Sequence, residues 1–194
     1  MDNESVTEDP RVARTRRDVV AAVSGILLED GWDAVTHAAV AGRSGYSKGT
    51  VYSHWPTRLD LVRASIEQIC SEADHPKQTG DLREDLRTSL LDFATDLSEG
   101  HVDRLLAGVL ERARLGEVVR TLRRRLYDTG TSGLRAILET HLHPDDVAPV
   151  LTQLTGAVFV RVSFEEEDAI EDFVDDLIRR VLASARVVSS SSTP

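Results

Sequence analysis

The chain has 194 residues, 41% of them hydrophobic, with a net charge of −10 and a single cysteine, Cys70. That is enough apolar material for a core, which excludes wholesale disorder, and a lone thiol excludes an internal disulfide or a thiolate metal cage. No apolar run approaches the roughly 18 residues needed to cross a bilayer, and the acidic start MDNESVTEDP is no secretion signal, so the expected location is cytoplasmic. The negative total hides an asymmetry. Residues 10–64 carry eight basic side chains against five acidic ones, whereas the rest of the chain holds fifteen against twenty-eight. Affinity for phosphate follows the local field of the contacting face, and only the first third has the right sign.

No stretch alternates apolar and polar residues between hairpin signals, so the fold class is all-α. Residues 14–29 set Val19, Val20, Val23, Ile26 and Leu27 on one helix face, with Gly31 placed to end it. Thr36 has the character of an N-cap, with Val35 and Val40 as a staple pair, and that helix stops by Gly45. Ser47 caps a second short helix, with Tyr46 and Val51 at the staple positions and Pro56 at its end. Thr57 caps a third start, with Asp60 at the capping-box position and an apolar face of Leu59, Val62, Ile66, Ile69 and Ala73. His75-Pro76 through Gly80 is a breaker.

Beyond it, residues 81–99 and 102–115 read as helices, the second with Leu105, Leu106, Val109, Leu110 and Ala113 on its apolar side. Residues 117–142 hold Gly130 and Gly133 at their middle and are one helix or two. Asp146 is expected to cap the next helix, with Pro149 in its first turn and its end near Phe164. The last, 166–186, opens on acidic residues and closes on Arg179, Arg180 and Arg186, as the helix dipole favours. The tail VVSSSSTP is expected to lack structure.

The informative stretch is THAAVAGRSGYSKGTVYSHWPTRLDL, residues 36–61, which reads as a helix-turn-helix. Lys48, Gly49 and Thr50 open its second helix, where a cation and small residues can enter a major groove: Lys donates to guanine acceptors and Thr meets a thymine methyl. Tyr52, His54 and Arg58 follow as donors suited to phosphate oxygens. The run from Gly45 to Trp55, followed by Arg58 and Leu61, resembles the TetR-family signature, A-x-x-x-G-V-S-x-G-T-hydrophobic-Y-x-H-F with a basic residue and a leucine beyond. The Gly31-Trp32 pair and Thr36 also fall where that family has a Gly-aromatic step and a capping threonine. The resemblance implies an N-terminal three-helix DNA-binding head, residues 10–56, and a helical bundle for ligand binding and dimerisation, residues 57–187, ahead of a tail at 188–194.

Carried over residue by residue, the resemblance implies phosphate contacts at Thr36, Tyr52, His54 and Arg58, and base or mixed contacts at Ser47, Lys48 and Thr50, with Gly49 and His37 completing the candidate DNA-binding set. Ser47 is alternatively occupied with its own cap. The chain departs from the pattern at Tyr46, where valine is usual, and at His37, commonly threonine or valine. Ala38 is too short to read a base. The implied partners are double-stranded operator DNA, a second copy held through the last two helices at about 146–186, and an unidentified small-molecule effector. Phe93, Leu97, Leu106, Val109, Tyr127, Phe159 and Arg161 are candidate lining for the effector, with core packing as the plainer role.

Other features have plain readings too. Trp32 and Trp55 are expected to pack inside the head, and Cys70 to be buried. Arg11, Arg14, Arg16 and Arg17 read equally as a DNA-reaching arm or a solvated helix start. Arg120, Arg123, Arg124 and Arg125 read as a helix face paired with acids. The acidic runs Glu165–Asp168 and Glu171–Asp176 lack calcium-loop spacing. No catalytic motif stands in the chain, and no metal or cofactor is expected. The reading is a ligand-responsive repressor, not an enzyme; the alternative is a helical interaction module or small-molecule-binding protein that does not meet DNA.

Overall fold

Helix α1 (Pro10–Glu29) begins where Asp9 accepts the Arg11 amide at 2.9 Å and proline takes the first helical position, which needs no N–H. It ends with the amides of Asp30 and Gly31 both donating to the Ile26 carbonyl, and Gly31 turns the chain at φ +84° into a single 3-10 turn, Trp32–Ala34. There follow α2 (His37–Ser44), α3 (Lys48–His54), α4 (Arg58–Glu72), α5 (Leu82–Ser98), α6 (Val102–Arg112), α7 (Glu117–Gly130), α8 (Ser132–His141), α9 (Pro144–Phe164) and α10 (Ile170–Leu182). This computed structural model describes residues 9–114, 116–165 and 169–188; the expectation for residues 189–194 lies outside them, as do residues 166–168 of the acidic run. Among the described residues the only extended pairing is an isolated bridge between Leu142 and Val187.

The chain divides into two units, residues 1–72 with 104–122, and residues 73–103 with 123–194. In the first, α1 packs on α2 and α4, and α2 on α3. Val19, Val23, Leu27, Val40, Val51 and Ile66 are wholly buried there. The staple residues Val35, Val40 and Val51 are among the core, as the sequence predicts. Helix α4 turns inward a face that keeps Val62 and Ile66 of the one expected but is rotated toward Leu61 and Ser65, which are buried, while Leu59 and Ile69 are half-buried and Ala73 is exposed. Ser65 is tolerated because its hydroxyl meets that of Ser24 on α1 at 2.8 Å, so no polar group is left unsatisfied. Cys70, on the same helix, is half-buried rather than buried. Leu110, expected on the apolar side of α6, is 54% exposed.

Two glycines of α2 have opposite roles. Gly42 lies inside the helix, whereas Gly45 ends it in the left-handed region, φ +77°, with its amide donating to the Ala41 carbonyl at 3.1 Å. A Cβ at either position would meet no atom within 4 Å, so only backbone preference separates them.

In the second unit α5 packs against α8, α9 and α10, and α9 lies on both α8 and α10. Leu86, Leu90, Leu138, Leu151, Leu154 and Val174 form its core. Residues 117–142 are two helices: α7 ends at Gly130, Thr131 is buried with its hydroxyl donating to the Tyr127 carbonyl, and α8 starts at Ser132. The His75 ring sits at this break, its Nε2 3.0 Å from the Thr129 carbonyl and 2.8 Å from Ser132 Oγ. It lies so close to Gly133 that a Cβ there would come within 3.0 Å of the ring.

The cap of α9 is His143, not Asp146. Its Nδ1 accepts the Asp145 amide at 3.4 Å, Pro144 takes the first position, and Pro149 is left in the helix interior, on its exposed side. This 21-residue helix is long and apolar enough on average to pass for a membrane span, but polar residues break every apolar run in it well short of roughly 18 residues, and its Val147, Val150, Leu151, Leu154 and Val158 are buried within the unit. Asp146 instead accepts from Arg186, through the backbone amide at 2.8 Å and through Nε at 2.9 Å and Nη2 at 2.8 Å. That clasp sets the segment after α10 against the α8–α9 turn, where the Val188 amide donates to the His141 carbonyl at 2.8 Å. Val187 and Val188, assigned from sequence to a structureless tail, are therefore held.

Alanine at Gly45 is expected to cost about 1 kcal/mol, the penalty of a left-handed L-residue, while alanine at Gly42 is expected to stabilise by roughly 0.5–1 kcal/mol. Urea midpoints of the two variants should move in opposite directions. A second expectation concerns acid. The hydrogen bonds from Arg186, side chain first, hold the Asp146 carboxyl down to about 2 from its ordinary 3.8. A depressed carboxylate contributes stability above the ordinary value and loses it as pH falls toward the lower one. Protection of the Val188 amide against hydrogen exchange should thus be full above pH about 4 and decline toward pH 2. Asp146→Asn should be less protected at neutral pH, with no such decline; a flat wild-type profile would detach the clasp from this carboxylate.

Candidate nucleic-acid interface

The segment from Thr36 to Arg58 is built from local hydrogen bonds. Thr36 Oγ1 accepts the Ala39 amide at 3.1 Å and opens α2. Ser47 Oγ accepts the Thr50 amide at 3.1 Å and lies 2.9 Å from Thr50 Oγ1, so both hydroxyls are engaged with each other at the start of α3. The Thr57 hydroxyl and amide donate to Asp60 Oδ2, at 2.6 and 3.0 Å, and the Asp60 amide donates back to Thr57 Oγ1. These bonds, the hydroxyl's first, hold the Asp60 carboxyl below the usual carboxylate range. The helix pair is tied to α1 by the Tyr46 hydroxyl donating to Asp18 at 2.9 Å and by a two-pronged Arg43–Glu29 ion pair at 2.7 and 2.5 Å.

This arrangement sorts the candidate contacts. Ser47, Lys48 and Gly49 are exposed, and Lys48 makes no ion pair among the described residues. Tyr52 is 51% exposed, and its ring stacks on His37 with centroids 3.7 Å apart and planes 5° from parallel. His37 is half-buried, its Nε2 2.7 Å from the Trp55 carbonyl, so the imidazole is a bracket for the Tyr52 ring. His54 is half-buried beside Trp55, ring centroids 5.5 Å apart, and Thr36 and Thr50 are half-buried as well. A capping hydroxyl accepts through a lone pair and keeps its own proton for a second partner, as Thr36 does here. Arg58 is exposed, with Nη1 3.3 Å from Asp33 Oδ1. Arg11, Arg14, Arg16 and Arg17 belong to α1 and all are exposed, which gives them the helix reading rather than that of an extended arm.

Trp32 and Trp55 are 7% and 8% exposed, so both pack. The cover over Trp32 comes from α6: Gly108 lies against its Cβ, and the Arg112 guanidinium sits 5.4 Å from the ring centroid. Arg112 Nη2 also donates to Asp33 Oδ2 at 2.7 Å. Sequence reasoning missed Asp33 and Arg112; the Gly31-Trp32 step draws the eye to the first, and nothing local points to the second.

The candidate effector residues are dispersed. Leu106 and Val109 belong to the first unit, the other five to the second. Leu97 and Val109 are buried and Tyr127 is 46% exposed. Phe159 meets Phe164 edge-on at 6.4 Å, and the Arg161 guanidinium lies 5.1 Å from the Phe173 ring while pairing with Glu165. Two open grooves mark the second unit, one of about 580 Å³ between Arg87 and the acidic side of α10, the other beside Arg135 and Pro144. Neither is lined by the candidate residues. Among the described residues no three potential metal ligands gather.

Comparison with known proteins places this geometry. Residues 21–65 match the model of the bacterial regulatory proteins, tetR family, and residues 76–181 that of the tetracyclin repressor-like C-terminal domain. The chain is 25% identical over 194 residues to the uncharacterised HTH-type transcriptional regulator YdeS of Bacillus subtilis, covering 95% of this chain and 96% of that one. Among solved structures it is similar to the TetR family transcription regulator SCO0332, with 29% identity, a TM-score of 0.63 and coverage of 88% and 97%. It shares its fold with the multidrug binding protein EbrR complexed with ethidium, at 18% identity, a TM-score of 0.65 and coverage of 86% and 98%. With the two family models spanning head and body, and with α2 and α3 built as a helix-turn-helix, the chain belongs to the TetR family of transcriptional regulators.

Proposed function

We propose that this regulator is a repressor that binds a palindromic operator as a homodimer and releases it in answer to a small molecule. The observation that carries the DNA-binding part is the amino end of α3, where Lys48 and Gly49 are exposed beside Ser47 and Thr50 hydroxyls already engaged with each other. Lys48 is thus the side chain with freedom to read a base, helped by the Thr50 methyl, with Ser47 in a mixed role. Thr36, Tyr52, His54 and Arg58 hold phosphates, and His37 acts by bracing Tyr52. The DNA-reading part is residues 10–56 and the effector and dimer part residues 57–187. A protein that meets chromosomal DNA in this way works in the cytoplasm.

Two heads must reach successive major grooves, about 34 Å apart, which calls for a second copy. The outward side of α9 suits one: Ala148, Thr152, Gly156, Val160 and Phe164 are exposed and uncharged, with Phe164 at 75%. The contact runs through the last two helices, about 146–186, with α9 supplying its apolar part. The effector reading is supported by the fold shared with the ethidium-bound EbrR, with Phe93, Leu97, Leu106, Val109, Tyr127, Phe159 and Arg161 as candidate lining. An effector that prefers the state with the wrong head spacing is sufficient to release DNA.

Binding to random and operator DNA across a salt series tests the reading. Affinity should fall steeply with salt, with a log–log slope of about −0.9 per phosphate neutralised. Arg58→Ala should weaken binding to every sequence and flatten the slope by about one contact, whereas Lys48→Ala should chiefly narrow the gap between operator and random DNA. Weak binding at every salt concentration would favour the interaction-module alternative. For the assembly, sedimentation should give a dimer at micromolar concentration and a monomer for Val160→Asp; a wild-type monomer removes the two-head geometry.

A further inference from the structure

Every residue proposed to touch DNA lies between Thr36 and Arg58, yet the charge around one of them is set by a helix far along the chain. Asp33 presents its two carboxylate oxygens to two different arginines. Oδ1 faces Arg58 Nη1 at 3.3 Å, and Oδ2 accepts from Arg112 Nη2 at 2.7 Å. The three side chains differ in freedom: Asp33 is 77% exposed, Arg58 46%, and Arg112 only 16%. Arg112 lies over the Trp32 ring, 5.4 Å from its centroid, and its Nη1 reaches the Gly108 carbonyl at 3.4 Å and also pairs with the exposed Glu111. On the same side of α6, Arg104 donates to the Glu29 carbonyl at the end of α1, and Gly108 admits Trp32 so closely that a Cβ would stand 3.1 Å from the Trp32 Cβ. Positions 104, 108 and 112 repeat at four-residue spacing and form one face laid on the end of α1 and the 3-10 turn.

We propose that Arg112 is a positioning residue for DNA binding: it occupies and neutralises Asp33, and so leaves Arg58 available to a phosphate. This rests on Arg58 being a phosphate contact. A carboxylate and a phosphate compete for the same guanidinium donors, which pair with either in a two-pronged fork. With Oδ2 held at 2.7 Å by Arg112, Asp33 offers Arg58 one oxygen at a long 3.3 Å. Without Arg112 both oxygens are free to take Arg58, and an unneutralised negative charge stands where a phosphate must approach. The grip of the head on the DNA backbone is thus coupled to the last turn of α6, which lies outside the helix-turn-helix itself.

The test is a double-mutant cycle on the full chain, read as affinity for random DNA against salt. Arg112→Met keeps an unbranched stem over Trp32 while removing the charge. It should weaken binding by about tenfold and flatten the salt slope by about 0.9, the loss of one phosphate contact. Asp33→Asn alone should change affinity little, because the charge it removes is already neutralised, and in its presence Arg112→Met should flatten the slope by much less than about 0.9, any remainder coming from Glu111 left without its cation. Arg112→Gln, whose amide can still donate to Asp33, should fall between wild type and Arg112→Met; an equal loss in both substitutions with either residue at 33 would mean that α6 merely props the fold and would overturn the inference. So would an unchanged slope in Arg112→Met while Arg58→Ala flattens it. If Arg58→Ala itself leaves the slope unchanged, the phosphate assignment fails first, and this inference fails with it.

Discussion

Helices α2 and α3 have eight and seven residues, too few to persist alone in water, where about 12–15 are needed. Everything that the amino-terminal unit presents to a partner depends on how these two are held. Burial of Val40, Val51 and Trp55 fastens their inner faces, and side-chain caps close their ends. The cost is that several hydroxyls become structural. Ser47 and Thr50 face each other instead of pointing freely outward, and His37 is committed to the Trp55 carbonyl and the Tyr52 ring. What remains for a ligand is a short basic and aromatic edge, rigid because its neighbours are already satisfied.

Charge is arranged in the same economical way. A chain of net charge −10 can approach a polyanion only if the acids near the contact are occupied. Glu29 is paired with Arg43, Asp60 with Arg63, Asp18 with Arg14, and Asp33 with Arg58 and Arg112. Exposed pairs of this kind contribute about 0–1 kcal/mol each to stability. Their importance lies in the local field: they cancel negative charge on the face that carries Lys48 and Arg58 and hold the surrounding side chains in fixed orientations.

The carboxy-terminal unit solves a different problem. Helix α9 is apolar on more than one side, and the unit's own core covers only part of it, through Val147, Leu151, Leu154 and Val158. The strip that includes Gly156 and Val160 is left outward, and it is the face proposed above for a second copy. Helix α10 contributes differently, with Val174 and Ile178 buried and Glu171 and Asp175 paired with Arg87 of α5. The clasp between Asp146 and Arg186 then ties the chain beyond α10 to the start of α9.

The sequence alone determined the helix-turn-helix, its caps at Thr36, Ser47 and Thr57, the stop at Gly45 and the all-helical class. Each of these is local: a cap is read three residues away, and a left-handed stop within one turn. It left open whether residues 117–142 are one helix or two, misplaced the cap of α9, caught Val62 and Ile66 but not Leu61 and Ser65 on the inward face of α4, and had no means of finding Arg112. Those features depend on partners distant in the chain. His75 sits at the α7–α8 break, Arg186 draws Asp146 away from a capping role, α1 selects Ser65 through Ser24, and α6 brings Arg112 to Asp33 across 79 positions. Local pattern decides which segments coil because backbone hydrogen bonds close within a turn. Only tertiary packing decides which side chains meet, because an ion pair or a buried contact carries no trace of its partner in neighbouring residues.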